Sequence, residues 1–217
     1  MPLVLNKNIY PDVKLAIWFI NESHEGLLNI IGNNYNEVNY HQRIQQANAR
    51  HYLASRIILT QLFPDNTIVL SKNEFNKPYL HLDSHPYHIS ITHSFDYAAV
   101  LVAPNSFLGI DLERIDPRIG RVKRKFLNQQ EWDFAGEEYQ IAEQTLIWSA
   151  KETLYKLYGQ KELDFKKNLF ISPFINQENG VLSTQINKDN IEVNIAVHYQ
   201  KIDNYWLTYT THNKQIL

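Results

Sequence analysis

The sequence predicts an α+β protein made of two similar halves, each a small antiparallel sheet packed with helices. First, a strand, then helical periodicity, then short strands occur in that order twice along the 217 residues. Second, Pro104-Asn105 interrupts the apolar pattern where the second series is about to begin. Third, 44% of the residues are hydrophobic and 12% aromatic, enough for one large core or two small ones. The predicted halves are residues 1–105 and 106–217.

The N-terminal half is predicted to hold one long helix and several short strands. Apolar residues at helical spacing predict the helix, and Phe63-Pro64-Asp65 ends it. Ile89 and Ile91 alternate with polar residues before the turn Ser94-Phe95-Asp96, which is typical of a hairpin. In chain order we expect strand 13–20, helix 39–62, strands 68–70 and 79–82, and hairpin strands 88–92 and 97–103.

The C-terminal half repeats the order with two helices. Apolar residues recur at helical spacing from Ile147 to Leu157, and Gly159 follows as a candidate C-cap. The expected elements are strand 107–113, helices 122–134 and 138–158, and strands 169–172, 191–199 and 205–211.

Two segments of this half carry the most specific chemical signal. In the strand, Asp111 and Glu113 leave the same face, about 6.5 Å apart at a rise of about 3.3 Å per residue. In the helix, Trp148, Glu152 and Lys156 recur every four residues on one face. Three carboxylates with lysines in this order suit a Mg²⁺ site that handles a phosphate ester. The alternative for Glu152 and Lys156 is an exposed ion pair of small energy.

Composition restricts the other function classes. The net charge is −2, so nothing favours wholesale binding to nucleic acid or to an anionic membrane. The absence of cysteine excludes disulfides, thiolate metal sites and cysteine nucleophiles. The first residues lack the pattern of a signal peptide, and no apolar run approaches the about 20 residues of a membrane span. We therefore expect a soluble cytoplasmic protein.

The chain resembles the 4′-phosphopantetheinyl transferase superfamily, and within it the longer type that activates peptide synthetases. The resemblance rests on motifs in the family's order: Asn76-Lys77-Pro78, Ile89 to Ser94, Gly109 to Glu113, Phe126-Leu127 with Glu131, and Trp148 to Lys156. It implies a monomeric pseudo-dimer with internal pseudo-twofold symmetry and an active site between the halves. It also implies transfer of 4′-phosphopantetheine from coenzyme A to a serine of an acyl or peptidyl carrier protein, as in fatty acid biosynthesis.

The resemblance also implies roles for single residues. Asp111, Glu113 and Glu152 match metal ligands, and Lys156 matches the lysine beside the reacting phosphate. Glu152 is a third ligand, the general base, or both. The predicted coenzyme A contacts are Arg50, Lys77, Pro78, Thr92, His93 and Lys151. The alternatives for Arg50 and Lys151 are ordinary exposed charges.

The most basic stretch runs from Arg114 to Lys125. We interpret it as a docking surface for an acidic carrier-protein helix, carried by Arg114, Arg118, Arg121 and Arg124. The alternative is a solvated helix start. Where relatives often place basic residues ahead of the first helix, residues 32–40 here offer none, and Arg43 is a candidate substitute. Leu112 stands between the two acids, where some relatives have a third acidic residue.

Two other function classes stay open at this point. One is a non-catalytic relative that only binds carrier proteins; the intact acidic positions and Lys156 weigh against it. The other is a Mg²⁺-dependent phosphohydrolase or nuclease with the same carboxylates. The lack of a broad basic stripe weighs against nucleic acid.

Overall fold

The computed structural model describes residues 2–32, 40–160, 163–214 and 216. It confirms the predicted α+β class, since the described residues form two antiparallel sheets of six and five strands, each packed with helices. The chain divides into two compact units, Met1–Ser106 and Phe107–Leu217. None of the helices in the described ranges combines the length and apolar character that a bilayer crossing requires.

The first unit has a six-stranded sheet in the order β1-β2-β6-β5-β4-β3. Helix α3 packs on one face of this sheet, where Leu53, Ile57 and Ile58 meet Val100 and Val102 in a buried core. The elements are β1 Leu3–Tyr10, β2 Val13–Phe19, α1 His24–Ile31, α2 Tyr40–Arg43, α3 Ala49–Leu62, β3 Ile68–Lys72, β4 Pro78–Leu82, β5 His85–Ser94 and β6 Tyr97–Ala103.

The predicted long helix of this unit is wrong as a single element. Its expected start at Asn39 lies outside the described residues. Within the described part, α2 ends at Arg43, and a turn closed by the Ala49 N–H bond to the Gln46 carbonyl precedes α3. Polar side chains in this turn compete with helical hydrogen bonding, which apolar spacing does not reveal.

Two elements of the first unit were not predicted. Strand β1 pairs with β2 at the edge of the sheet, and the polar Lys7 occupies one of its less exposed positions, which weakens the apolar alternation. Helix α1 begins at Ser23, whose hydroxyl accepts from the Gly26 N–H as an N-cap. It is eight residues long, too short for a clear periodic signal.

The second unit has a five-stranded sheet in the order β7-β11-β10-β9-β8. Helix α6 packs against it, and Leu146, Ile147 and Leu154 are buried in the core with Val197 and Trp206. The elements are β7 Phe107–Arg114, a 3₁₀ helix Pro117–Arg121, α4 Lys123–Phe126, α5 Gln129–Ala135, α6 Ile141–Tyr158, β8 Leu169–Ile171, β9 Asn179–Lys188, β10 Ile191–Ile202 and β11 Tyr205–His212.

The predicted helix at 122–134 is divided in the structure. Leu127 has extended backbone and ends α4, and Asn128 starts α5 with a capping box in which it exchanges hydrogen bonds with Glu131. The first turn of the second expected helix, at 138–140, is also absent, because α6 begins at Ile141. Strand β9 was not predicted, although it pairs with β10 over its whole length.

Candidate active site

Strand β7 and helix α6 lie unusually close together at Gly109. A Cβ atom built on Gly109 would lie 2.1 Å from the Thr153 carbonyl oxygen, a distance that no side chain tolerates. Glycine therefore lets the backbone of the strand approach the helix directly. Asp111 and Glu113 follow Gly109 on the same face of β7. Leu112 lies on the opposite face and is also buried.

A buried cluster of hydroxyls holds α6 against β11. Thr208 Oγ1 lies 2.9 Å from Ser149 Oγ and 2.7 Å from Thr153 Oγ1, and it donates to the Ser149 carbonyl at 3.0 Å. Thr208 is the partner of Asp111 across the strand pair. The register of the sheet and the position of α6 are thus fixed beside the first carboxylate.

Asp111 forms an ion pair with Lys156. The Lys156 ammonium donates to Asp111 Oδ1 at 2.7 Å and to the Ile110 carbonyl at 3.1 Å. Asp111 is 4% exposed, whereas the Lys156 side chain stays partly open to solvent. The ion pair of Lys156 thus reaches across to the strand, unlike the exposed pair within the helix that was the alternative interpretation.

Glu113 is oriented by Trp148. The indole N–H of Trp148 donates to Glu113 Oε1 at 3.0 Å. The Trp148 ring contacts two phenylalanine rings, with centroid distances of 5.2 Å to Phe126 and 5.2 Å to Phe165. The Trp148 ring is held in place by these contacts, and its N–H therefore fixes the position of one carboxylate oxygen of Glu113.

The carboxylates of this site repel one another. Burial, together with the charges of Asp111 and Glu152, raises the pKa of Glu113 to about 7, while the Trp148 hydrogen bond and Lys156 oppose the change. Burial likewise raises the pKa of Glu152 to about 7, with Asp111 adding to it and Lys156 opposing it. Mutual repulsion of this kind is relieved by a cation.

The donor chemistry fits a hard divalent cation. Asp111, Glu113 and Glu152 offer only oxygen atoms, which Mg²⁺ prefers, and their charges exceed what Lys156 alone compensates. Across the ranges that the structure describes, no group of three or more His, Cys, Asp or Glu side chains is assembled closely enough to hold a metal ion. Asp111, Glu113 and Glu152 are the candidate oxygen donors for Mg²⁺, and binding would require their side chains to converge further.

The structure corrects the prediction for Lys151. Its side chain is 0% exposed, and its ammonium donates to Glu131 Oε2 at 2.6 Å and to the carbonyls of Phe126 and Phe165 at 2.8 Å each. All three ammonium hydrogens therefore have protein acceptors. Lys151 is therefore not a solvated charge, and its ammonium is already engaged by protein acceptors in the core. Burial lowers its pKa to about 8, against the effect of Glu131.

In the first unit, Arg50 and Lys77 have defined surroundings. Arg50 donates through Nη2 to the Ile20 carbonyl at 3.0 Å. Lys77 lies in a tight turn in which Asn73 Oδ1 accepts from its backbone N–H at 2.9 Å, and Pro78 then begins β4. Burial lowers the pKa of the Lys77 ammonium to about 8. A half-buried lysine next to a turn fits a phosphate contact.

Thr92 and His93 are neighbours on β5, so their side chains leave opposite faces of the sheet. Thr92 is buried and His93 is exposed. The His93 ring stacks on His51 of α3 with a centroid distance of 4.5 Å, and His51 Nε2 lies 2.6 Å from the Phe95 carbonyl. No motif or spacing in the sequence singled out His51. The region that lacks basic residues, 33–39, lies outside the described residues.

Two of the four predicted docking arginines are engaged within the chain. Asp116 accepts from Arg114 Nη2 at 2.9 Å and from Arg118 Nη2 and Nε at 2.8 and 3.0 Å. These hydrogen bonds lower the pKa of Asp116, those from Arg118 most. Arg121 and Arg124 are exposed on the surface of this stretch.

Comparison with known proteins found a matching family model, which covers residues of the second unit, and a similar protein. Residues 107–210 match the model of the 4′-phosphopantetheinyl transferase superfamily. The 4′-phosphopantetheinyl transferase gsp of Aneurinibacillus migulanus is 27% identical over 100 residues, which cover 45% of this chain and 40% of that protein. The match thus spans well under two thirds of the relative. These findings confirm the resemblance seen in the sequence motifs.

Proposed function

We propose that this protein transfers 4′-phosphopantetheine from coenzyme A to a carrier-protein serine, since residues 107–210 match the model of the 4′-phosphopantetheinyl transferase superfamily. The acceptor is an acyl or peptidyl carrier protein, and adenosine 3′,5′-bisphosphate is released. The observation that carries the proposal is the Asp111–Lys156 ion pair of 2.7 Å beside two partly buried glutamates, Glu113 and Glu152. This arrangement provides oxygen ligands, a proton acceptor and a cation at one place.

The reaction requires one bond to form and one to break at phosphorus. The serine oxygen attacks the phosphorus that carries pantetheine, and the bond to the bridging oxygen breaks with its electron pair leaving on adenosine bisphosphate. Glu152, partly buried on α6 near the Asp111 charge, is assigned as the group that accepts the serine proton. Bound by Asp111, Glu113 and Glu152, Mg²⁺ would neutralise charge on the pyrophosphate.

Lys156 is the cation that the protein itself contributes. Its ammonium is held by Asp111 Oδ1 and the Ile110 carbonyl, so it needs little reorganisation to meet a developing negative charge. Its partial exposure leaves the third hydrogen available to a phosphate oxygen. We assign Lys156 to stabilisation of charge on the transferred phosphoryl group.

The nucleotide end of coenzyme A is assigned to the first unit. The proposed contacts are Lys77, Pro78, Thr92 and His93. Arg50 is a further proposed contact, and its hydrogen bond to the Ile20 carbonyl competes with binding of a phosphate. With a pKa of about 8, the Lys77 side chain is neutral in about half of the protein molecules at pH 8. We therefore expect its contact with a phosphate to weaken as pH rises through that value.

A comparison with Lys77→Arg tests this pH dependence. Arginine stays protonated throughout, so the ratio of kcat/KM for coenzyme A, variant over wild type, is expected to rise between pH 7 and 9. Both proteins share every other titrating group, which cancels in the ratio. A flat ratio would remove Lys77 from the coenzyme A contacts.

Carrier docking is assigned to the exposed arginines of the basic stretch. Replacing both Arg121 and Arg124 by Glu is expected to raise the KM for an acidic carrier protein about 10-fold or more and to reverse its salt dependence. The KM for coenzyme A should stay constant, since neither residue is among its assigned contacts. Lys201→Glu, an exposed charge reversal on β10, is the control. An unchanged carrier KM would contradict the docking assignment.

Product release separates the proposed reaction from its alternatives. Adenosine 3′,5′-bisphosphate, followed by chromatography, is expected only when coenzyme A, Mg²⁺ and an apo carrier protein are all present. Release without carrier protein would indicate a phosphohydrolase instead. Carrier binding without any release would indicate a non-catalytic relative.

A further inference from the structure

The buried ion pair between Lys151 and Glu131 is not used by the proposed chemistry. Both side chains are 0% exposed. Besides Lys151, Glu131 Oε2 accepts from the Asn128 N–H at 3.0 Å, and Glu131 Oε1 accepts from the Ile171 N–H at 2.9 Å. One ion pair thus joins α6, the start of α5 and strand β8.

Such a pair is a poor means of gaining stability. Removing two charges from water is costly, and apolar replacements of similar volume are often equally stable. What the pair does provide is geometry, because Lys151 has three hydrogens and three acceptors in fixed directions. An apolar side chain at this position would not fix direction in the same way.

The acceptors of Lys151 lead directly to the site. The backbone carbonyls that bind its ammonium belong to Phe126 and Phe165. The rings of the same two residues flank Trp148, each at 5.2 Å. Trp148 in turn donates to Glu113 Oε1 at 3.0 Å. A continuous chain of contacts therefore runs from the buried ion pair to a proposed metal ligand.

Helix α6 is held on its other sides by contacts already described. Gly109 admits the Thr153 carbonyl, and Thr208 bonds Ser149 and Thr153. Lys151 adds a charged contact between these positions on the helix. Since Glu152 follows Lys151 directly, fixing the rotation of the helix at Lys151 also fixes the direction of Glu152.

We propose that Lys151 and Glu131 are positioning residues of the active site, which hold Trp148 and α6 so that Glu113 and Glu152 face Asp111. Lys151 acts from inside the core through the backbones of Phe126 and Phe165. The expected loss of kcat rests on the proposed function. The expected effects on the Trp148 side chain and on divalent-cation affinity do not depend on that function.

The double variant Lys151→Met with Glu131→Gln tests the inference. Gln keeps the length of the Glu side chain, Met is one atom shorter than Lys, and together the two replacements leave no unpaired buried charge. We expect the double variant to have a melting temperature near that of wild type. Its Mn²⁺ affinity and its kcat should both be lower by about 10- to 100-fold, with little change in the KM for coenzyme A. The Trp148 indole N–H resonance, assigned by its loss in Trp148→Phe, is expected to shift. Lys201→Met is the matched control.

A folded double variant with unchanged Mn²⁺ affinity and an unchanged Trp148 resonance would overturn the inference. If the double variant does not fold, Phe165→Leu replaces it, because this change keeps the carbonyl but removes one ring beside Trp148. Unchanged Mn²⁺ affinity and Trp148 resonance in that variant would overturn the inference equally. If wild type fails to transfer phosphopantetheine, the proposed function is wrong, and the two binding readouts still decide the role of the ion pair.

Discussion

Replacing Asp111 by Asn is expected to lower kcat by about 10²- to 10³-fold while the protein stays folded. The change removes a proposed Mg²⁺ ligand and the carboxylate that holds Lys156 at 2.7 Å. Because the Asp111 charge raises the pKa values of Glu113 and Glu152, its loss should move both downward. Single-turnover transfer to a carrier protein and carboxylate titration by NMR measure the two effects.

The control for this variant is Asp133→Asn, which alters an exposed carboxylate on α5. It should leave transfer and the pKa values of both glutamates unchanged. A kcat for Asp111→Asn close to that of wild type would show that Asp111 neither holds the cation nor orients Lys156.

Replacing Gly109 by Ala is expected to destabilise the protein by about 1–3 kcal/mol or more. The new Cβ would meet the Thr153 carbonyl at 2.1 Å, and Thr153 is itself bonded to Thr208, so the helix backbone must move away from β7. Because Glu152 precedes Thr153 on this helix, transfer should fall even under conditions in which the variant is fully folded. Urea unfolding and kcat measured on the same sample separate the two effects.

Gly120→Ala is the matched control, since no atom lies within 4 Å of a Cβ built there. It should be neutral or slightly stabilising, because alanine restricts the unfolded chain more than glycine does. A Gly109→Ala protein with wild-type stability would mean that β7 and α6 do not approach as closely as described.

The proposed metal and phosphate residues were accessible from the sequence because they depend on local periodicity. Alternation along β7 places Asp111 and Glu113 on one face, and helical spacing relates Glu152 to Lys156. The α+β class followed from the order of the periodic segments. These predictions need no knowledge of which distant residues meet.

Lys151 shows where sequence reasoning ends. Helical spacing gives the face on which Lys151 lies, but not that Glu131 and two carbonyls meet it there in a fully buried position. The same limit applies to Asp116, whose bonds to Arg114 and Arg118 divide the predicted docking surface. Strand β9 was missed because its pairing with β10, rather than its polar sequence, defines it.

The most direct test of the proposed function is intact-protein mass spectrometry of an apo acyl carrier protein after incubation with this protein, coenzyme A and Mg²⁺. We predict that the carrier gains the mass of one phosphopantetheine group, and that EDTA or the Asp111→Asn substitution prevents the gain. No gain on fatty-acid or peptide-type carrier proteins, with wild-type protein shown to be folded and to bind coenzyme A, would contradict the proposed transfer reaction.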